Sequence, residues 1–242
     1  MIFADEPHED DELWVCRLGT ERYEPAVAMQ ERIRERRIAN EVPDTLLLLE
    51  HEPVYTRGRR AAENELALGA DFYRARGIDV IDTRRGGRVT YHAPGQLVGY
   101  AIARVEDVAA HLRRIETALI AALADLGVTA RSRCAEGPDY TGVWVDERKI
   151  ASIGVHVSRG VSAHGFAVNV DLDLDPFGWV IACGLPDVTM TSLRHELAAG
   201  SPVPAPGRVR DAVARRFAES WNERLVEVSR EQIDPVLAGA PS

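Results

Sequence analysis

Apolar and polar positions along this 242-residue chain change period several times, and each change marks an element. Residues 25–38, opened by Pro25, form a charged and weakly apolar run that predicts a surface helix. The four leucines inside residues 45–50 predict a buried strand that opens the sheet. Further strands are predicted at 79–83, 88–91 and 96–104, punctuated by the turn signals Gly86-Gly87 and Pro94-Gly95. Asp107 suits the N-cap of a helix whose Val108, Leu112, Ile115, Leu119, Ala122, Leu123 and Leu126 share one face, with Gly127 as its stop. From Val128 the period falls to two, and residues 142–145, 149–157 and 162–170 predict a meander of antiparallel strands around an Asp146-Glu147 turn. Helical spacing returns at 191–197 and 208–225, where Val209, Val213, Phe217, Trp221 and Leu225 recur every fourth residue. Helices at both ends and in the middle of runs of antiparallel strands predict an α+β fold, an α/β two-layer sandwich, and argue against a doubly wound parallel sheet.

No repeat or low-complexity block divides the chain, and only the short stretch at 201–207 reads as linker. The expected organisation is an acidic flexible tail over residues 1–12, then one catalytic domain over 13–242 with a C-terminal helix. An apolar content of 45% against 28% charged residues excludes disorder as the main state. No apolar stretch approaches the roughly 18 to 20 residues of a membrane span. The acidic N-terminus lacks the basic and apolar regions of a targeting peptide, so a cytoplasmic location is expected.

A net charge of −9 argues against bulk attraction to nucleic acid or an anionic membrane. Its distribution matters more, because Arg57, Arg59, Arg60, Arg84, Arg85 and Arg88 crowd two short loops suited to receive an anion. Cys16, Cys134 and Cys183 are odd in number and far apart, which fits neither a disulfide framework nor a zinc knuckle, and no metal site is expected.

Four segments stand out from scaffold composition. His51–Arg59 and the run Arg85-Gly86-Gly87-Arg88-Val89-Thr90-Tyr91-His92, continuing to Gln96, set arginine beside glycine. Glycine lets backbone approach a ligand and arginine supplies forked donors, although the same residues also make ordinary tight turns. Neither phosphate-loop nor dinucleotide-loop glycine spacing occurs. Lys149 begins the apolar run that holds Ser152, Ile153 and Gly154, and it reads either as a head group reaching water or as a cation beside a nucleophile. Cys183 follows an apolar run and precedes Gly184; it reads either as an inert core thiol or as a nucleophile exposed on a turn.

Together these blocks, with His164-Gly165-Phe166-Ala167 and Asn169-Val170, resemble the lipoyl(octanoyl) transferase family, also called lipoate-protein ligase B, over residues 45–193. The resemblance implies a single α/β domain similar to the catalytic domain of biotin and lipoate ligases, with mixed sheets flanked by helices. It implies transfer of an octanoyl group from octanoyl acyl carrier protein to a lysine of the lipoyl domains of 2-oxoacid dehydrogenases and of the glycine cleavage H protein, through a cysteine thioester and with no ATP or metal. Cys183 and Lys149 map onto the family's catalytic pair. Arg85 to His92, Ser152 to Gly154, and Gly165, Phe166 and Ala167 map onto its substrate-binding segments. One position departs: Ala93 stands where the family has glycine, which bears on whether the backbone there takes a positive φ. The rival readings are an ATP-dependent lipoate or biotin ligase on the same fold, which needs no cysteine, and a non-catalytic acyl-carrier-binding protein.

Overall fold

A computed structural model describes residues 11–181 and 188–238. The leucines lie in a strand at Asp44–His51 (β2), where Leu46 and Leu48 face one hydrophobic layer and Leu47 and Leu49 the other. A strand buried on both faces shows no apolar–polar alternation. For the same reason the preceding strand, Glu12–Glu21 (β1), leaves no periodic signal; it pairs parallel to β2 and, not the leucine run, opens the chain's sheet. Glu12 is thus the first strand residue, and residues 1–10 of the expected tail lie outside the described residues.

Between them runs a helix at Tyr23–Ile38 (α1), with Pro25 in its first turn. A short strand at Val54–Arg57 (β3), not foreseen from the sequence, pairs with Asp79–Asp82 (β4) and Val89–His92 (β5) in a three-stranded sheet. A one-turn helix at Ala70–Arg74 (α2) precedes β4. The chain then returns as Gln96–Ile102 (β6) beside β2. The helix Val108–Asp125 (α3) begins as expected, its cap Asp107 accepting from the Ala110 amide at 2.7 Å. Next come Arg131–Ser132 (β7) and the meander Gly142–Val145 (β8), Arg148–Ser158 (β9) and Val161–Asn169 (β10). Thr189–Met190 (β11), Leu193–Glu196 (α4), Pro206–Trp221 (α5), Arg224–Glu227 (β12) and Arg230–Ala238 (α6) complete the described chain. The larger sheet runs β12-β1-β2-β6-β10-β9-β8-β7, with β11 beside β9. Helices α3 and α5 cover one of its faces, and α1 with Ile233 of α6 covers the other. The expected α+β arrangement of mixed sheets flanked by helices is therefore present.

Two helical expectations were too long. Only Leu193–Glu196 within 191–197 is helical. The helix expected to 225 stops at Trp221, because Asn222 adopts a left-handed φ of 57° and turns the chain into β12. The apolar spacing carries on through Leu225, but one left-handed residue ends the helix.

Directly after that turn, Glu223 meets the Asp44 carboxyl; burial first and the Asp44 charge second push its pKa up to about 8. A carboxyl raised in this way binds its proton more tightly folded than unfolded. Its contribution to stability is therefore present below the ordinary glutamate range and lost as pH rises toward the folded value. Glu223→Gln is expected to flatten the fall in melting temperature between about pH 5 and pH 8. A variant that loses stability as steeply as the parent would assign that fall to other groups.

Candidate active site

The site begins with an irregularity in β9. Across from β8, Gly142 pairs with Ser152, Val143 with Ala151, and Trp144 with Lys149, so Ile150 is an extra residue forming a β-bulge. Under strict alternation Lys149 and Ser152, three apart, would face opposite sides of the sheet. The bulge lets Ile150 and Ala151 both enter the core beneath α3 and α5, while Lys149 and Ser152 both line one cleft. Lys149 does not reach water. It is 2% exposed, with Nζ 5.1 Å from the centre of the Trp144 ring.

The three expected substrate segments converge there for reasons of register. Strand β10 runs antiparallel to β9 with Gly165 opposite Gly154, Phe166 opposite Ile153 and Ala167 opposite Ser152. The arginine-glycine loop docks on the same strand, the Gly86 amide donating to the Val155 carbonyl at 3.0 Å. Gly154 permits this approach, since a Cβ there would stand 2.8 Å from the Gly86 carbonyl oxygen. Arg85, Gly87, Arg88, Val89, Thr90 and His92 line the cleft together with Lys149, Ser152, Ile153, Gly154, Gly165, Phe166 and Ala167.

Gly86 and Tyr91 stand apart from the cleft lining. Gly86 serves the backbone junction just described. Tyr91 follows the alternation of β5: Thr90 and His92 face the cleft, whereas the Tyr91 ring packs among Tyr55 and Phe177, 5.1 and 5.6 Å away between ring centres. Gly165 lines the cleft with backbone only. A side chain there would collide with the Gly99 carbonyl and part β6 from β10 before it could narrow the cleft. Ala93 has no positive φ and is buried in the core of the smaller sheet, so alanine is accommodated.

The arginines are not equivalent. Arg85 is buried and spends its fork on the protein, donating to the Thr56 carbonyl at 2.6 Å, the Thr56 hydroxyl at 2.8 Å and the Arg88 carbonyl at 2.7 Å. Arg88 pairs with buried Glu65 at 2.6 Å, Arg57 with Asp82 at 2.7 Å, and Arg60 with Asp139 at 3.1 Å. Arg59 and Arg84 are exposed and form no ion pair among the described residues. Most of this cluster is therefore engaged with the protein itself, Arg85 tying the two loops together and Arg57, Arg60 and Arg88 pairing with carboxylates outside them, which arginine and glycine content alone does not distinguish from ligand binding.

Beside the expected Thr90 and His92, the floor contains residues that the sequence does not single out as site residues. The Tyr100 hydroxyl donates to His51 Nε2 at 2.8 Å, and His51 Nδ1 donates to the Glu21 carbonyl at 3.0 Å. His92 Nδ1 donates to Gln96 Oε1 at 2.7 Å, and Gln96 Nε2 donates onward to Asn169 Oδ1 at 3.0 Å. His164, at a left-handed φ of 61°, donates its amide to Gln30 Oε1 at 2.8 Å. Burial lowers all three imidazoles: His51 to about 4, His164 to about 3 with help from the Arg85 charge, and His92 well below its ordinary value. Thr90 Oγ1 is buried with no hydrogen-bond partner among the described residues. A side-chain pattern of this kind crosses four strands and one helix and leaves no local sequence signal.

Cys183 lies outside the described residues. Cys16 is fully buried, and burial pushes its thiol up to about 11, which removes it as a nucleophile at neutral pH. Cys134 is exposed and is not among the residues lining the cleft. Among the described residues no cluster of histidine, cysteine and carboxylate side chains is arranged to hold a metal ion, and no helix is long and apolar enough to cross a membrane. The cleft thus joins a largely apolar lining, a sequestered ammonium and a floor of neutral hydrogen-bonding groups, an arrangement suited to holding an acyl chain with its carbonyl near the lysine.

Comparison with known proteins points the same way. The family model described as lipoyl protein ligase A/B catalytic domain matches residues 22–218. The octanoyltransferase of Acidothermus cellulolyticus is 46% identical over 209 residues, 83% of this chain and 88% of that protein. That of Mycobacterium ulcerans is 47% identical over 195 residues, 76% of this chain and 78% of that protein. Among solved structures, a bi-partite lipoate protein ligase from Thermoplasma acidophilum superposes with a TM-score of 0.73 at 21% identity, covering 96% of this chain and 91% of that one. A lipoate-protein ligase A bound with ATP superposes at 0.72 and 20% identity, covering 95% and 92%. At that identity the structures show the shared fold alone. The curated relatives carry the closer relationship: this chain belongs to the lipoyl protein ligase A/B catalytic family and, within it, to the octanoyltransferases, enzymes that transfer acyl groups.

Proposed function

We propose that the protein takes an octanoyl group from octanoyl acyl carrier protein onto Cys183 and passes it to a lysine of lipoyl domains, those of 2-oxoacid dehydrogenases and of the glycine cleavage H protein. The observation that carries this reading is Lys149, a lysine held 2% exposed in the wall of a cleft that Val89, Val98, Ile153 and Phe166 also line. Burying a cation without a purpose is unfavourable. Beside a thiol it is useful, because it favours the thiolate that attacks a thioester.

In the first step the Cys183 thiolate attacks the carbonyl carbon, and the pantetheine thiolate leaves and takes up a proton. In the second the acceptor amine attacks the enzyme thioester, loses a proton, forms the amide and releases the Cys183 thiol. Exchange of one thioester for another is nearly balanced and aminolysis runs downhill, so neither ATP nor a metal takes part. Lys149 serves first as the cation and then, once it has lost a proton, as base toward the acceptor amine. Exposed Arg59 and Arg84 belong to the loops whose Arg60 and Arg88 line the cleft, and positive charge there on an acidic chain suits an acidic carrier protein.

The test is intact mass after mixing the protein with octanoyl acyl carrier protein and no nucleotide. One octanoyl group in a hydroxylamine-sensitive linkage is expected. No adduct, with transfer appearing only when free octanoate and ATP are supplied, would replace the transferase with a ligase.

A further inference from the structure

Lys149 reaches the cleft across a glycine. Gly142, at a φ of 140°, faces it so closely that a Cβ would stand 2.7 Å from Lys149 Cε and 3.4 Å from Nζ, and 2.5 Å from the Ala151 carbonyl oxygen. The end of the lysine side chain therefore rests on the Gly142 backbone, and any movement of that backbone moves the ammonium.

The Gly142 backbone is itself held from outside the sheet. Its amide donates to Oε1 of Glu116, on α3, at 2.9 Å. The other oxygen, Oε2, accepts from the Ser132 hydroxyl of β7 at 2.6 Å, and Ser132 Oγ in turn accepts from the Cys134 amide at 3.2 Å. One carboxylate thus ties α3 to β7, an edge of the larger sheet, and to its neighbour β8. Glu116 is 3% exposed on a helix face otherwise built from Ile115, Ala118, Leu119, Ala122 and Leu123. A carboxylate in such a place is unfavourable unless it does what an apolar residue cannot, and here that is to grip a particular amide with a short charge-assisted hydrogen bond.

We propose that Glu116 is a positioning residue for Lys149, acting through the backbone of Gly142. This rests on the reading of Lys149 given above. Trp144 closes the arrangement: its indole N–H donates to the Tyr140 carbonyl at 2.9 Å, which fixes the ring beside which Nζ sits. With Glu116 removed, the Gly142 amide loses its acceptor and β8 is free to shift against β9, so the ammonium loses its place while the acyl cleft keeps its lining.

The experiment is steady-state octanoyl transfer by Glu116→Ala and Glu116→Gln, each normalised to its folded fraction. Misplacement of a reacting group by about 1 Å costs up to roughly a hundredfold, so Glu116→Ala is expected to lose at least about tenfold in kcat with KM for the acyl carrier within about twofold. Glutamine keeps an oxygen for the Gly142 amide and a partner for Ser132, and is expected to restore kcat to within about threefold of the parent. A folded Glu116→Ala protein with parental kcat, or a glutamine variant as poor as the alanine one, would overturn the proposal. Should Glu116→Ala not fold, Glu116→Asp keeps the charge but shortens its reach to the Gly142 amide, and parental kcat there overturns it equally. Lys149→Ala is measured alongside. Full activity in that variant would remove the underlying reading of Lys149, whereas an inactive Lys149→Ala beside an active Glu116→Ala removes the positioning role alone.

Discussion

Cys183→Ala is expected to lose octanoyl transfer by at least about a thousandfold and to show no octanoyl adduct by mass, because the variant has no group that can carry the acyl chain between donor and acceptor. Neither remaining cysteine can substitute. Cys16 has a thiol raised to about 11 and no access to solvent, and Cys134 is not among the residues lining the cleft. The measurement is paired: steady-state transfer to a lipoyl domain, and peptide mapping of the acylated parent. Full activity in Cys183→Ala, or an octanoyl group mapped to Cys134, would end the mechanism.

Lys149→Ala should lose on the order of 10² to 10⁴ in transfer, the usual range for a lost acid–base group. It should also move the pH at which Cys183 reacts with iodoacetamide upward, toward the free-thiol value near about 8.5. Lys149→Arg keeps the cation but cannot release its proton at accessible pH, so it should acylate better than it transfers. Stability ought to move the other way. Lys149 is buried against Trp144, so exchanging its charge for an apolar group of similar length, as in Lys149→Met, should leave the melting temperature unchanged or higher while activity is lost. A Lys149→Met protein that is active, or inactive only because it unfolds, would mark the lysine as structural.

Much of the scaffold was legible in the sequence, and the exceptions have common causes. The α3 helix announced itself through its cap, its apolar face and its glycine stop. Strand β1 did not, since burial on both sides erases alternation, and β3 is too short to show a period. The family blocks named the segments that meet at the cleft, but how they meet is a matter of register: β9 and β10 pair in sequence order, whereas the bulge at Ile150 has no signature among residues 148–158. Lys149 also read as a solvated head group because its burial is decided by Gly142 and Trp144 on the neighbouring strand rather than by its own strand. The arginines misled for a related reason, since internal carbonyl and carboxylate partners come from loops and strands that the local composition does not reveal.

The histidine floor carries a consequence for how the enzyme's response to acidity should be interpreted. Imidazoles held at about 4 and about 3, with His92 well below the ordinary range, keep one ionisation state throughout the physiological interval. The floor is electrically silent there, a wall whose field does not drift as protons are added or removed. An inflection in a rate profile across neutral pH is then not to be sought in His51, His92 or His164, although imidazoles would ordinarily be the first suspects.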